Sequence, residues 1–197
     1  MSRLVSSAAK PRRTARQTEL FNQLVSLFLA EGFADFTMDG AAARLMCSKS
    51  TIYALASSRE QLIKAVVVFF FNRAAEEVER EVARETDPGE RIAAYLRGVG
   101  GQLRAASTAF MDDIAACPTA SEAYGQNTRI AAARVRAMID EGVQQGAFRP
   151  VPAAFVAEVV SSVMVDIQQG HYAESITLTD AEAYDALSAL VLKGVSA

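Results

Sequence analysis

The chain has 197 residues, 51% of them hydrophobic, with no tryptophan and a formal net charge of −3. That length suits a small head that shares its core with a larger body, and the alanine-rich composition leans toward helix. The longest apolar run, residues 65–71 (AVVVFFF), is far too short to span a bilayer, and no apolar segment follows the basic N-terminus at signal-peptide spacing, so a soluble, cytoplasmic protein is expected.

Residues 1–13 (MSRLVSSAAKPRR) are small, polar and basic without periodicity and read as a flexible arm. From Thr14 a helical pattern begins, with Leu20, Leu24, Leu27 and Phe28 on one face, and Gly32 ends it where a positive φ is tolerated. Phe33 and Phe36 then turn the chain inward. Thr37 is placed to cap a short helix over 38–45, and Ser48 a third over 49–55. Ser57 and Ser58, followed by Glu60 and Gln61, supply a capping box that opens a long fourth helix reaching about 85. Its first half is apolar nearly all round (Leu62, Ile63, Val66 to Phe71), whereas its second half (EEVEREVARE) is charged and amphipathic. Such a helix packs against both head and body.

Asp87-Pro88-Gly89-Glu90 is a second strong start signal. The helix behind it carries Ile92, Leu96, Val99 and Leu103 on one face, together with Gly98, Gly100 and Gly101. Each interior glycine costs about 1 kcal/mol relative to alanine, so three imply close helix approach, a kink, or room for a bound molecule. Further helices are expected over 108–116, from a Thr119 cap to about 144, from Pro152 to about 169, and from Thr179 with Glu182 to 193. Nine helices, no strand alternation and no repeat give an all-α fold, with a three-helix N-terminal head joined by the fourth helix to a helical-bundle body.

The charge is unevenly spread. Residues 1–59 hold eight Lys/Arg against four Asp/Glu, and residues 60–197 hold twelve against nineteen, a basic head on an acidic body. Cys47, Cys117 and the single His171 have no partners at metal-ligand spacing, so two reduced thiols and no metal or cofactor are expected. Within the head, two short helices separated by about three residues, the second opened by a serine, make a helix-turn-helix. Such a unit lays its second helix in the major groove, N-terminal residues toward the bases. Here that helix begins Ser48-Lys49-Ser50-Thr51, with Ile52 inward and Tyr53 at the groove wall.

The elements Phe28, Glu31-Gly32-Phe33, Thr37, Ala42, Ser48-Lys49-Ser50-Thr51-Ile52-Tyr53 and Ser58-Arg59-Glu60-Gln61-Leu62 resemble, in order and spacing, the head of the TetR family of bacterial transcriptional regulators. The resemblance covers about residues 15–65. The chain departs from the family at Met46-Cys47, where Gly-Val is usual, at Leu55-Ala56, where an aromatic pair is usual, and at Ser50 and Arg59. By position, the resemblance puts Thr37, Ser48, Tyr53 and Arg59 on phosphates and turns Lys49, Ser50 and Thr51 toward the bases or the groove edge. Arg44 is a further, exposed candidate. Arg12, Arg13 and Arg16 are open to two readings, a solvated tail or an extension into the adjacent minor groove.

Residues 152–168 are apolar on more than one face (Phe155, Val156, Val159, Val160, Val163, Met164, Val165, Ile167), and the last helix carries Tyr184, Leu187, Leu190 and Val191. The two are expected to form a four-helix homodimer bundle with a second copy, as in the resembled family. The alternative is burial within one chain. The domains expected are an arm over 1–13, a DNA-binding head over 14–60, and an effector-binding and dimerisation body over 61–197.

The resemblance also implies a small, often apolar effector in the body. Candidate lining residues are Phe70, Leu96, Val99, Leu103, Phe110, Met111, Tyr124, Met164, Asp166 and His171, each of which is also acceptable as plain core or, for Asp166, as a partner of Arg97 or Arg104 or an exposed flank. The function expected is a repressor that binds a palindromic double-stranded operator as a dimer and is released by effector. An enzyme is disfavoured, because no Glu-x-x-His pair, phosphate loop or nucleophile–base set is present. The remaining alternative is a helical ligand-binding or adaptor protein with a degenerate DNA head.

Overall fold

The computed structural model describes residues 13–169, 171–172 and 177–195. Among these residues the chain forms nine α-helices and no β-strand: α1 (Ala15–Glu31), α2 (Met38–Arg44), α3 (Lys49–Tyr53), α4 (Arg59–Val82), α5 (Pro88–Leu103), α6 (Thr108–Ala116), α7 (Pro118–Gln144), α8 (Ala153–Gln168) and α9 (Asp180–Val195). No described helix is long and apolar enough to cross a membrane.

Side-chain caps set most of these starts. Thr14 makes a full capping box with Gln17, and Thr37, Ser48, Ser58, Asp87 and Ser107 each accept an amide from the first turn of α2 to α6 respectively. The helix ends are tighter than the sequence pattern suggests, at Tyr53 for α3 and Val82 for α4. The start of α7 is a correction. Pro118 is its first residue and Cys117 stands in the cap position without a side-chain bond, so Thr119 lies inside the helix. Proline fixes φ at a helical value and lacks the N–H that a cap would satisfy.

Two apolar clusters divide the molecule. One joins α1, α2 and α3 to the first half of α4, to Phe110 and Ile114 of α6, and to Ala120 and Tyr124 of α7. The other joins Val78 and Val82 of α4 to α5, the later part of α7, α8 and α9. The head's core therefore extends well past residue 60. On α5, a Cβ at Gly98 would lie 3.1 Å from Val78, and one at Gly100 would lie 2.8 Å from the Tyr184 ring, whereas Gly101 faces open space. Close helix approach is thus the reason for the first two glycines, and none of the three lines the cavity between α4, α5, α7 and α8.

The turn between α1 and α2 is gripped from two sides. On one side the Asp113 carboxylate of α6 accepts the Phe33 amide and, at 2.7 Å, the Ala34 amide. On the other the Arg59 guanidinium of α4 donates to the carbonyls of Phe36 (2.6 Å), Phe33 (2.9 Å) and Ala34 (2.6 Å). Gly32, at φ 77°, lets α6 approach, because a Cβ there would meet Asp113 Oδ2 at 2.5 Å and the Ala109 backbone at 3.2 Å. The Ser107 amide also donates to the Leu29 carbonyl at 2.8 Å.

Asp113→Ala strands the half-buried Phe33 amide and removes two charge-assisted bonds, so it should lower unfolding stability by about 1–3 kcal/mol. Denaturant titration checks this. A variant as stable as the parent would show that the grip is incidental.

Candidate nucleic-acid interface and ligand cavity

The proposed reading helix α3 is only five residues long and is oriented by one buried anchor. Ile52 is fully buried, which turns Lys49, Ser50 and Tyr53 outward; Tyr53 is 51% exposed. Ser48 Oγ accepts the Thr51 amide at 3.1 Å and lies 2.8 Å from both Ser50 Oγ and Thr51 Oγ1, a hydroxyl cluster at the helix start. Thr37 likewise caps α2 through the Gly40 amide at 3.0 Å and remains exposed. In the helix-turn-helix turn, Met46 is the one described non-glycine residue at positive φ (47°), and its side chain is 92% exposed. A left-handed backbone costs an L-residue about 1–2 kcal/mol, which explains why glycine is usual there in the resembled family.

Several of the head's cations already have partners. Lys49 Nζ lies 2.6 Å from Asp39 Oδ2, and this hydrogen bond with its charge holds the ammonium pKa above its ordinary value. Arg44 forks onto Glu31 at 2.5 and 2.6 Å, which pulls the Glu31 carboxyl below its usual range. Both pairs are exposed and so exchange readily for another anion. Arg59 is different. Its Nε and Nη2 donate to the backbone carbonyls of the turn, so it positions the head. Arg13 stacks 4.3 Å from the Phe21 ring centroid and 5.1 Å from that of Phe69, while Arg16 stands exposed on the first turn of α1. Arg12 and the rest of the arm lie outside the described residues.

In the body, a cavity of about 240 Å³ lies between α4, α5, α7 and α8. Of the residues expected to line it, Phe70, Val99, Leu103, Tyr124 and Met164 do so. Five do not. Leu96 is fully buried in the body's apolar cluster, Phe110 is buried between Phe33 and Phe70, and Met111 packs against the head's core. Asp166 and His171 form a surface cluster, with His171 Nδ1 3.1 Å from Asp166 Oδ1 and the Tyr172 hydroxyl donating to Asp166 Oδ2 at 3.3 Å. Arg97 pairs with Glu90 instead of Asp166.

The wall also contains residues that the sequence reading did not select. From α4 come Phe71, Ala74, Ala75, Val78 and Glu79; from α5, Tyr95 and Gln102; from α7, Asn127, Thr128, Ile130, Ala131 and Arg134. On α7 these share one stripe with Tyr124, at helical spacing, which is the signal that could have found them. Glu79 and Arg134 are joined by two bonds of 2.7 and 3.0 Å, which raise the arginine's pKa. Burial, then the charge of Glu79, pushes the Tyr95 phenol up to about 12. Burial also raises Tyr124, whose hydroxyl is fully enclosed and has no hydrogen-bond partner, while the Thr128 hydroxyl donates to the Tyr124 carbonyl at 3.1 Å.

Comparison with known proteins places this architecture. No family model matches the chain, and no curated protein does. Among solved structures, a TetR transcription regulator from Haloarcula marismortui matches with a TM-score of 0.77 at 18% identity, over 93% of this chain and all of its own. A transcriptional regulator from Saccharomonospora viridis in complex with choline matches at 0.76 and 15%, over 94% of this chain and all of its own. AibR, solved in complex with isovaleryl coenzyme A and operator DNA, matches at 0.61 and 19%, over 89% of this chain and 97% of its own. The chain has the fold of the TetR-family transcriptional regulators.

Two outcomes follow. Tyr124→Phe removes an unsatisfied buried hydroxyl and should raise stability by about 1 kcal/mol, or about 2–4 °C in Tm; a lower Tm would mean that the hydroxyl has a partner. Asp39→Asn frees Lys49 and removes a negative charge beside it, so it should strengthen binding to duplex DNA several-fold, most at low salt. Unchanged affinity in a salt-titrated gel shift would place Lys49 away from the phosphates.

Proposed function

We propose that this chain is a TetR-type transcriptional repressor that binds a two-fold operator as a homodimer and is released when a small molecule fills the body cavity. The observation that carries the reading is α3, anchored by Ile52 with Lys49, Ser50 and Tyr53 turned outward, on a fold shared with transcriptional regulators. One solved neighbour of that fold was determined with operator DNA and another with choline, which supports both a DNA partner and a small-molecule ligand.

In this reading residues 14–60 address DNA, with Thr37, Ser48 and Tyr53 on phosphates and Lys49, Ser50 and Thr51 toward the groove. Arg44 and Arg16 are supplementary cations, and Arg12 with Arg13 belongs to the arm that precedes them. Residues 61–197 bind effector and dimerise. The dimer surface is the outer face of α8 and α9. Phe155 (68% exposed), Val159 and Leu190 (70% exposed) stand on helices that pack against each other through Val160, Met164, Leu187 and Val191. Exposed apolar side chains of this size on adjacent helices fit an isologous contact with a second copy.

Lys49→Ala and Tyr53→Ala should each abolish a gel shift on DNA from upstream of the chain's own gene while helical circular dichroism stays unchanged. Phe155→Asp with Leu190→Asp should give a monomer by light scattering and lose the same shift. A dimer that survives the second pair, or operator affinity that survives the first, would overturn the corresponding part of the reading.

A further inference from the structure

The cavity is lined by apolar side chains, by the uncharged polar residues Tyr95, Gln102, Asn127 and Thr128, and by one pair of charges. Phe70, Phe71, Val78, Val99 and Met164 give it apolar walls. Against them, the only charged lining residues are Glu79 and Arg134, and these neutralise each other through paired bonds of 2.7 and 3.0 Å. Tyr95 stands near this pair, because its phenol feels the charges of both. Its side chain lines the cavity and is 93% buried (7% exposed), yet its hydroxyl bonds to no described residue and, unlike that of Tyr124, is not sealed within the protein. A buried hydroxyl left without a protein partner is normally satisfied by water or by a ligand.

We infer that the cavity takes an uncharged, mainly hydrocarbon molecule carrying one hydrogen-bond acceptor, a carbonyl or its equivalent, which receives the Tyr95 hydroxyl. This rests on the reading of the cavity as the effector site and specifies its ligand. Size follows from the volume. About 240 Å³ equals roughly eight waters of about 30 Å³ each, or on the order of ten non-hydrogen atoms of an organic ligand. The unpartnered phenol is protonated at neutral pH and so has a proton to donate to a ligand oxygen such as a carbonyl.

Charge follows from the Glu79–Arg134 pair. A carboxylate would bring a second negative charge beside Glu79 in a site already neutral, and would be desolvated without a free cation to receive it. A quaternary ammonium would need an open aromatic box. Here Phe70 and Phe71 lie 5.1 Å apart, and Phe71 and Tyr124 5.7 Å, closed against one another, and the Glu79 charge that could attract a cation is already neutralised by Arg134. The apolar wall and the unpartnered Tyr95 hydroxyl suit a neutral group such as a carbonyl best, with the Gln102 and Asn127 amides as further uncharged lining.

Calorimetric titration of the full chain with four probes of matched size tests this: butyrophenone, n-butylbenzene, benzyltrimethylammonium and 4-propylbenzoate. Butyrophenone should bind about five- to tenfold more tightly than n-butylbenzene, and the two ions should bind more weakly than the ketone. Tyr95→Phe, which removes only the unpartnered hydroxyl and should keep the parent's helical spectrum, should bring the ketone down to the hydrocarbon's affinity and leave the hydrocarbon unchanged. Equal binding of ketone and hydrocarbon, preference for either ion, no binding by any probe, or an unaltered ketone affinity in Tyr95→Phe would each overturn the inference. A gel shift run in parallel separates it from the parent reading. Ketone binding through Tyr95 that leaves operator affinity unmoved would sink the effector role while the ligand class stands. Operator binding with no response to any probe in either assay would sink the ligand class alone.

Discussion

Between α1 and α2 the chain makes a turn whose amides point one way and whose carbonyls point the other, and charges from distant helices satisfy both sets. Asp113 of α6 takes the amides and Arg59 of α4 holds the carbonyls. Without them the turn's polar groups would be partly buried and unpaired, at a cost comparable to lost hydrogen bonds. Everything that could read DNA follows from this turn, because it sets how α2, and through it α3, sits on α1 and α4. The head is therefore oriented by the body's own α6, and Gly32 is the residue whose missing side chain permits that approach.

The local signals could be read from the sequence because each acts within one helical turn. Thr14, Thr37, Ser48, Ser58 and Asp87 all cap where their spacing places them, and α4 does enter both clusters, through its over-apolar first half in the head and through Val78 and Val82 of its amphipathic second half in the body. Thr119 misled because Pro118 outranks it as a helix start. The grip on the turn could not be read, since Asp113 and Phe33 are eighty residues apart and neither stands out locally. The resemblance puts Arg59 on a phosphate, and nothing local could say that its Nε and Nη2 hold the carbonyls of the turn.

The cavity was half readable for a related reason. Residues 92–96 of α5 are all buried, so an apolar stripe on that helix could not say which side meets core and which meets open space. Leu96 was grouped with Val99 and Leu103, yet Tyr95 and Gln102 are the ones that share the cavity with them. Glu79 sits in a run of charges that looks like solvated surface, and only the fold brings Arg134 to it. Polar lining of an apolar cavity is a tertiary property, and no period in the sequence announces it.

From the cavity to the reading helix the packing is continuous. Phe70, in the cavity wall, meets Phe110 of α6 edge-on at 6.0 Å, Phe110 meets Phe33 at 6.0 Å, and Phe33 packs on Phe28 at 5.1 Å. A ligand shifts the head only by binding two arrangements of this path unequally, and α6, which carries both Phe110 and Asp113, is the element that would move between them. The most direct test is amide hydrogen exchange at Phe33 and Ala34 in the full chain, with and without saturating butyrophenone. The account predicts that exchange at these two amides changes on ligand binding, together with operator affinity. Operator release with exchange at both amides unaltered would contradict it.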